Sequence, residues 1–284
     1  MNSDQGFVYS IALKLQAVRE TSIPATVGHR AYAAFLHTIR QADRALAEVL
    51  HDAPLPLKPF TVSPLLGVPK ARNGRVAIVP TKEYYLRFTV LYPPIFQQFM
   101  ARFLRGDARP TLRLGAAEFG ISEVLTTPGA SPWSGYTSFA QLHDDSRPDG
   151  EVVLEFTSPT AFSFGRKLWG RKYVVFPDPT LVFRSLLKSW NAFAPPGLGI
   201  DEGLLEYVAE DVIVKRHQIQ TQMLRYGKHP QIGFEGQVTY GLMGGGHETE
   251  KRGLNGLADF AFYAGVGYKT TMGMGQVSRL VLSP

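Results

Sequence analysis

The apolar positions of the first half of the chain change their spacing several times, and each change marks an element. Phe7 to Leu15 alternates in part and carries β-compatible residues, which predicts a strand. Pro24 and Gly28 then interrupt the pattern. From about His29 to Leu50, Phe35, Ile39, Ala42, Leu46 and Val49 recur at steps of four and three, the stripe of a single amphipathic helix. Arg30, His37, Arg40 and Arg44 fall on its polar side. Beyond a Pro-rich stretch, Phe60 to Leu66 predicts a second strand. Arg75–Val79 and Tyr84–Tyr92 predict a hairpin or a pair of strands. Pro93-Pro94 suits the first turn of a helix, whose apolar face is Ile95, Phe99, Phe103 and Leu104. Leu112 to Leu125 predicts two strands or one bent strand.

This order, β-α-β-β-α-β, is that of a ferredoxin-like domain, an antiparallel sheet with two helices on one face. Residues 129–150 are rich in Gly, Ser, Pro and Asp and predict a linker. The remainder repeats the order. Strands are predicted at Val152–Phe156, Leu205–Val214, Phe234–Leu242 and Val277–Leu282, and helices from Pro179 and over Leu254–Ala264. The expected class is α+β, two tandem ferredoxin-like (RRM-like) domains at 1–128 and 151–284. No residue-level identity links the halves, so the repeat is one of element order.

Composition narrows the chemistry. With 44% hydrophobic residues in 284, a packed core is attainable, and no apolar run reaches the length of a membrane span. The polar start at Met1–Phe7 lacks a secretory signal pattern. The absence of cysteine excludes disulfides and thiolate metal sites and fits a cytoplasmic protein. The net charge of +6 is concentrated at Arg166-Lys167, Arg171-Lys172, Lys215-Arg216 and Arg225–Lys228, with Phe164, Trp169, Tyr173 and Tyr226 among them. Cations beside flat rings suit single-stranded RNA, whose phosphates need charge and whose unstacked bases need faces. A solvated basic surface is the competing reading.

The segment Gly265-Val266-Gly267-Tyr268-Lys269-Thr270-Thr271-Met272-Gly273-Met274-Gly275 holds two Gly-x-Gly pairs around a lysine. Its expected use is an anion nest of exposed N–H groups beside Lys269. A dinucleotide fingerprint would follow a strand and open a helix, whereas here a helix leads in and a strand follows. Gly244-Gly245-Gly246 reads as a plain turn.

The glycine-rich segment closely resembles the C-terminal loop of the CRISPR-associated endoribonucleases that process precursor CRISPR RNA, and of a wider superfamily of repeat-associated RNA-binding proteins (the RAMP superfamily). Leu50-His51 followed by Lys58-Pro59-Phe60-Thr61 is similar to a second motif of the nucleases. The resemblance implies two ferredoxin-like domains and metal-independent cleavage with no cofactor. In that reaction a ribose 2′-hydroxyl attacks the adjacent phosphate, leaving a 2′,3′-cyclic phosphate and a 5′-hydroxyl. It implies repeat RNA as the partner, no membrane association, and leaves an interference complex and a homodimer open. Gly265, Gly267, Lys269, Gly273 and Gly275 would contact RNA, with Arg166, Lys167, Arg171 and Lys172 on a loop between a strand and a helix. His51 is the preferred general base, since imidazole is the side chain best suited to proton transfer, with Lys58 as the cation that steadies the phosphorane. His37 on the first helix is the alternative base, and Tyr32 either an orienting hydroxyl or core. A non-catalytic RNA-binding subunit shares the fold and the loop; the His51–Lys58 pair favours the enzyme.

Overall fold

The structure, a computed structural model, describes residues 6–52, 57–104, 110–168, 170–226, 229–245 and 247–280. In the first half, β1 (Phe7–Ala17) and β2 (Thr21–Pro24) precede α1 (Gly28–Ala42) and α2 (Arg44–Asp52). Then come β3 (Phe60–Val62), β4 (Arg75–Ile78), β5 (Glu83–Val90), α3 (Pro93–Leu104), β6 (Thr111–Leu114) and β7 (Ala117–Leu125). The sheet runs β3-β5-β1-β7-β6 and every pairing is antiparallel. Its first strand is thus flanked by the third and fourth strands of the motif, as ferredoxin-like topology requires. Phe35 of α1, Phe60, Phe88 and Phe99 of α3 stack beneath it, all fully buried, with Phe35 4.5 Å from Phe60 and 5.0 Å from Phe88.

Two local expectations for this half change. The long first helix is broken at Asp43, whose backbone is extended and whose carboxylate accepts from Leu46 N at 2.9 Å, starting α2 as a new helix. The buried stripe therefore shifts to Ala47 and Leu50, and Val49 is exposed. Arg75–Ile78 does not pair with β5; it pairs with β2 in a separate two-stranded sheet.

Residues 129–150 hold β8 (Gly135–Ser138), which pairs with β1, and α4 (Phe139–Asp144), capped by Ser138. Phe139 sits in the second core, 4.9 Å from Trp190. This segment stitches the halves together as well as connecting them.

The second half comprises β9 (Glu151–Thr160), β10 (Phe162–Lys167), β11 (Gly170–Val174), α5 (Pro179–Phe193), α6 (Leu204–Asp211), β12 (Val212–Tyr226), β13 (His229–Leu242), α7 (Glu248–Ala264) and β14 (Val277–Leu280). Its sheet order, β12-β13-β9-β14, repeats the first, so the tandem ferredoxin-like α+β expectation holds. Leu204–Asp211 is a helix where a strand was expected: Leu204, Tyr207 and Val208 recur at helical spacing and bury one face. Val281 and Leu282, expected to end the last strand, lie outside the described residues. Arg166-Lys167 and Arg171-Lys172 lie on the paired strands β10 and β11 rather than in a loop. Trp169 and the side chains of Arg166 and Lys167 lie outside the described residues, as does Gly246. Among the described residues no helix is long and apolar enough to cross a membrane.

Candidate RNA interface and active site

Where α7 ends at Gly265, the chain enters the glycine-rich loop with φ 64. The loop folds back on itself: Val266 N donates to Gly275 O at 2.9 Å, and Met272 N to Lys269 O at 2.8 Å around a 3₁₀ turn at Thr270–Met272. It is also tied to the second sheet, through Tyr268 N to Ala161 O at 2.8 Å and Gly267 N to Ser185 Oγ at 2.9 Å. The N–H groups of Val266, Gly267, Tyr268, Met272, Met274, Gly275 and Gln276 are thereby used internally, which corrects the expectation of an open N–H nest. The glycines have a packing reason instead. A Cβ at Gly267 would lie 2.5 Å from Ala161 O, and one at Gly275 2.2 Å from Val266 O. From the other domain, Gly28 at the start of α1 meets Met272 so closely that a Cβ there would lie 1.7 Å from its carbonyl oxygen.

What the loop presents is charge over rings. Lys269, left-handed at φ 59, holds its ammonium 4.8 Å from the Tyr226 ring centre and 5.3 Å from that of Tyr268. Arg171 lies 5.5 Å over Tyr268, Tyr173 is 5.8 Å from the same ring, and Lys172 is 5.9 Å from Phe164. Burial, and then the charge of Arg171, pushes the Lys269 ammonium below the ordinary lysine value. Tyr226, at the tip of the β12–β13 hairpin, donates to Met272 O at 2.6 Å and stands 6.5 Å from the His29 ring. Burial, aided by Arg30, lowers the pKa of His29.

Three hollows border α1 and share lining residues with one another. The first, about 760 Å³, lies between the hairpin tip and the N-terminal domain and is lined by His29, Arg30, Arg225 and Tyr226. It shares Arg30 with the second, of about 540 Å³, which Arg102, Arg113 and His37 also line. The second shares His37 with the third, of about 520 Å³, where His51, Asp52, Tyr32 and Arg40 are found. The two sequence-predicted histidines therefore meet at one hollow, His37 from α1 and His51 from the last turn of α2.

Each histidine has one ring nitrogen engaged. His51 Nδ1 lies 2.5 Å from Asp52 Oδ1. With Nδ1–H donated to the carboxylate, Nε2 keeps its lone pair for accepting a proton. His37 Nε2 lies 3.0 Å from Gln41 Nε2, and Gln41 Oε1 accepts from Arg102 Nε at 2.6 Å. Because Arg102 only donates, it orients the amide so that its NH2 faces His37, whose Nε2 is then the acceptor. Lys58 Nζ donates to Leu50 O at 2.7 Å, capping the end of α2 beside His51. Tyr32 stacks on Phe60 at 5.8 Å while lining the histidine hollow; burial, then the Asp52 charge, raises its pKa and keeps its hydroxyl protonated. Among the described residues no group of three or more histidine or carboxylate side chains is placed to hold a metal ion.

Comparison with known proteins decides the family. A family model described as the CRISPR Cas6 N-terminal domain matches residues 7–144, and one described as CRISPR-associated endoribonuclease Cas6 matches residues 154–277. The chain belongs to the Cas6 family. It is 30% identical over 122 residues to the CRISPR-associated endoribonuclease Cas6 of Streptococcus thermophilus, covering 43% of this chain and 47% of that protein. It is 30% identical over 148 residues to that of Mycobacterium tuberculosis, covering 52% and 45%. The matches thus span about half the length of these curated relatives. Among solved structures, a Cas6 product complex superposes with a TM-score of 0.79 at 27% identity, covering 97% of this chain and 100% of that one. Thermus thermophilus Cas6 superposes with a TM-score of 0.70 at 27% identity, covering 96% and 98%.

Set on the Cas6 fold, the residues predicted from sequence fall into two groups: the loop with its β10–β11 hairpin, and the His37–His51 hollow. Sequence reasoning missed Gly28, Gln41, Arg102 and Arg113. It placed Tyr226 among the rings of the basic clusters, and what it lacked was the meeting of that ring with Lys269. Arg102 and Arg113 carried no usable signal, because they meet α1 only through the tertiary fold.

Proposed function

We propose that this Cas6-family chain is a metal-independent endoribonuclease that cuts precursor CRISPR RNA within its repeats. The 2′-hydroxyl beside the scissile phosphate is the nucleophile. His51, with Nε2 open and Nδ1 on Asp52, takes its proton, and His37 across the hollow serves the leaving 5′-oxygen. Arg40, which lines the same hollow, adds positive charge for the phosphorane. Lys58 sets the end of α2 and hence the position of His51. Repeat RNA is held by Lys269, Arg171, Lys172 and the tyrosines around the glycine-rich loop, with Arg166 and Lys167 on the same hairpin. Gly265, Gly267, Gly273 and Gly275 shape that loop. The division into domains at 1–128 and 151–284 belongs to this reading, as do a homodimer and transfer of the product to an interference complex. The observation that carries the proposal is the meeting of two histidines at a hollow continuous with the aromatic and basic loop surface. Repeat RNA incubated with the protein in excess EDTA is expected to be cut, with a 2′,3′-cyclic phosphate on the upstream fragment. RNA left whole in EDTA and cut on adding a divalent ion would overturn the metal-independent route.

A further inference from the structure

The middle hollow is not explained by the catalytic residues or by the loop. Arg30 from α1, Arg102 from α3 and Arg113 from β6 converge on it from three elements distant in sequence. Among the described residues none of the three is ion-paired with a carboxylate. Arg113 donates to Gly115 O at 3.2 Å, Arg30 packs over the same turn, and Arg102 holds the Gln41 amide. Among the described residues Glu118 is the single carboxylate in the lining. Three guanidinium groups gathered around about 540 Å³ repel one another, and that cost is offset when an anion enters. Guanidinium forks fit phosphate oxygens, and the neutral wall of Ala33, Ala34 and Leu112 leaves space for a sugar beside them.

Position gives the hollow its meaning. It shares Arg30 with the hollow at the hairpin tip and His37 with the catalytic one. It therefore offers a basic path along α1 from the loop surface to the histidines. We infer that Arg30, Arg102 and Arg113 form a phosphate-binding track for the single-stranded ribose-phosphate backbone joining the loop-bound part of the repeat to the scissile bond. This rests on the proposed function and adds a substrate-positioning subsite to it. Arg102 has a double part, since through Gln41 it also orients His37.

The test uses the full chain and repeat RNA made non-cleavable by a single 2′-deoxy nucleotide at the cut. Affinity is measured over a range of salt for the wild type, Arg113→Gln, Arg102→Gln and the double variant, each checked for an unchanged melting temperature. Each lost contact should reduce the slope of log affinity against log salt by about 0.7, and the double variant by about 1.4. The double variant should also bind roughly tenfold more weakly at moderate salt. A repeat RNA truncated on the loop side of the cut should bind wild type and double variant alike. Wild-type slope and affinity in the double variant, while the wild-type protein cuts repeat RNA, would overturn the track alone. A wild type that neither binds nor cuts repeat RNA would overturn the proposed function and the track with it.

Discussion

His51 and His37 reach one hollow from two helices, and their tethers differ. In the proposed reaction His51, with Nδ1 on Asp52, is the base. Gln41, held by Arg102, occupies Nε2 of His37 instead. Replacing His51 by Ala should slow single-turnover cleavage by roughly 10²–10⁴-fold with little change in RNA affinity. His37→Ala should slow it over the same range and turn a bell-shaped pH–rate profile one-sided. A His51→Ala variant that cuts at the wild-type rate while His37→Ala is slow would move the base to α1. These two histidines could be found in the sequence, one from its Leu-His motif and one from the polar side of a helical stripe. Their shared hollow could not, because it depends on the break at Asp43 that turns α2 back against α1.

Among the elements, the glycine-rich loop is where expectation and structure differ most usefully. The sequence suggests an anion nest of exposed N–H groups there, yet the close approaches at Gly267 and Gly275 are to Ala161 and Val266 within the protein. Gly275→Ala should therefore lower the melting temperature as well as RNA affinity. Gly129→Ala is the matched control, because that residue also has positive φ (82) but nothing within 4 Å of the added Cβ. It should cost about 1–2 kcal/mol of backbone strain and leave binding intact. Equal melting temperatures for Gly275→Ala and wild type, with binding lost, would restore the direct-contact reading. The element order was readable because both halves carry clear switches between alternating and helical spacing. The β10–β11 hairpin was not, since its alternation is masked by the cluster of basic residues, and α6 was not, since its eight residues are too few to separate from a strand by periodicity.

At the scale of the molecule, the two domains are locked by a buried polar network that no sequence pattern announces. Arg87, 5% exposed, donates to Ser10 Oγ at 2.7 Å, to Gln276 Oε1 at 3.0 Å and to Phe262 O, and lies 3.9 Å over the Phe262 ring. Burial pushes its guanidinium down to about 9, so it remains mostly charged at neutral pH. Gln276 in turn donates to Thr61 at 3.3 Å, just behind the glycine-rich loop. Arg87→Leu should destabilise the protein by about 2–4 kcal/mol, because it leaves several buried acceptors unpaired. A urea melt would show this as a lower midpoint, and an unchanged midpoint would mean that the domains are held mainly by apolar contact. That pairing carries the loop surface on one domain and the histidine hollow on the other, the arrangement through which, in the proposed function, one repeat RNA is both held and cut.

In the proposed reaction the RNA's own 2′-hydroxyl performs the cut, and the protein positions it and moves its protons. Single-turnover cleavage of two repeat RNAs, identical except for one 2′-deoxy nucleotide immediately before the scissile phosphate, tests this most directly. The all-ribose RNA should be cut to a 2′,3′-cyclic phosphate and a 5′-hydroxyl, while the deoxy RNA binds equally well and stays whole. Cleavage of the deoxy RNA at the same bond would rule out this nucleophile, because water would then have to take its place.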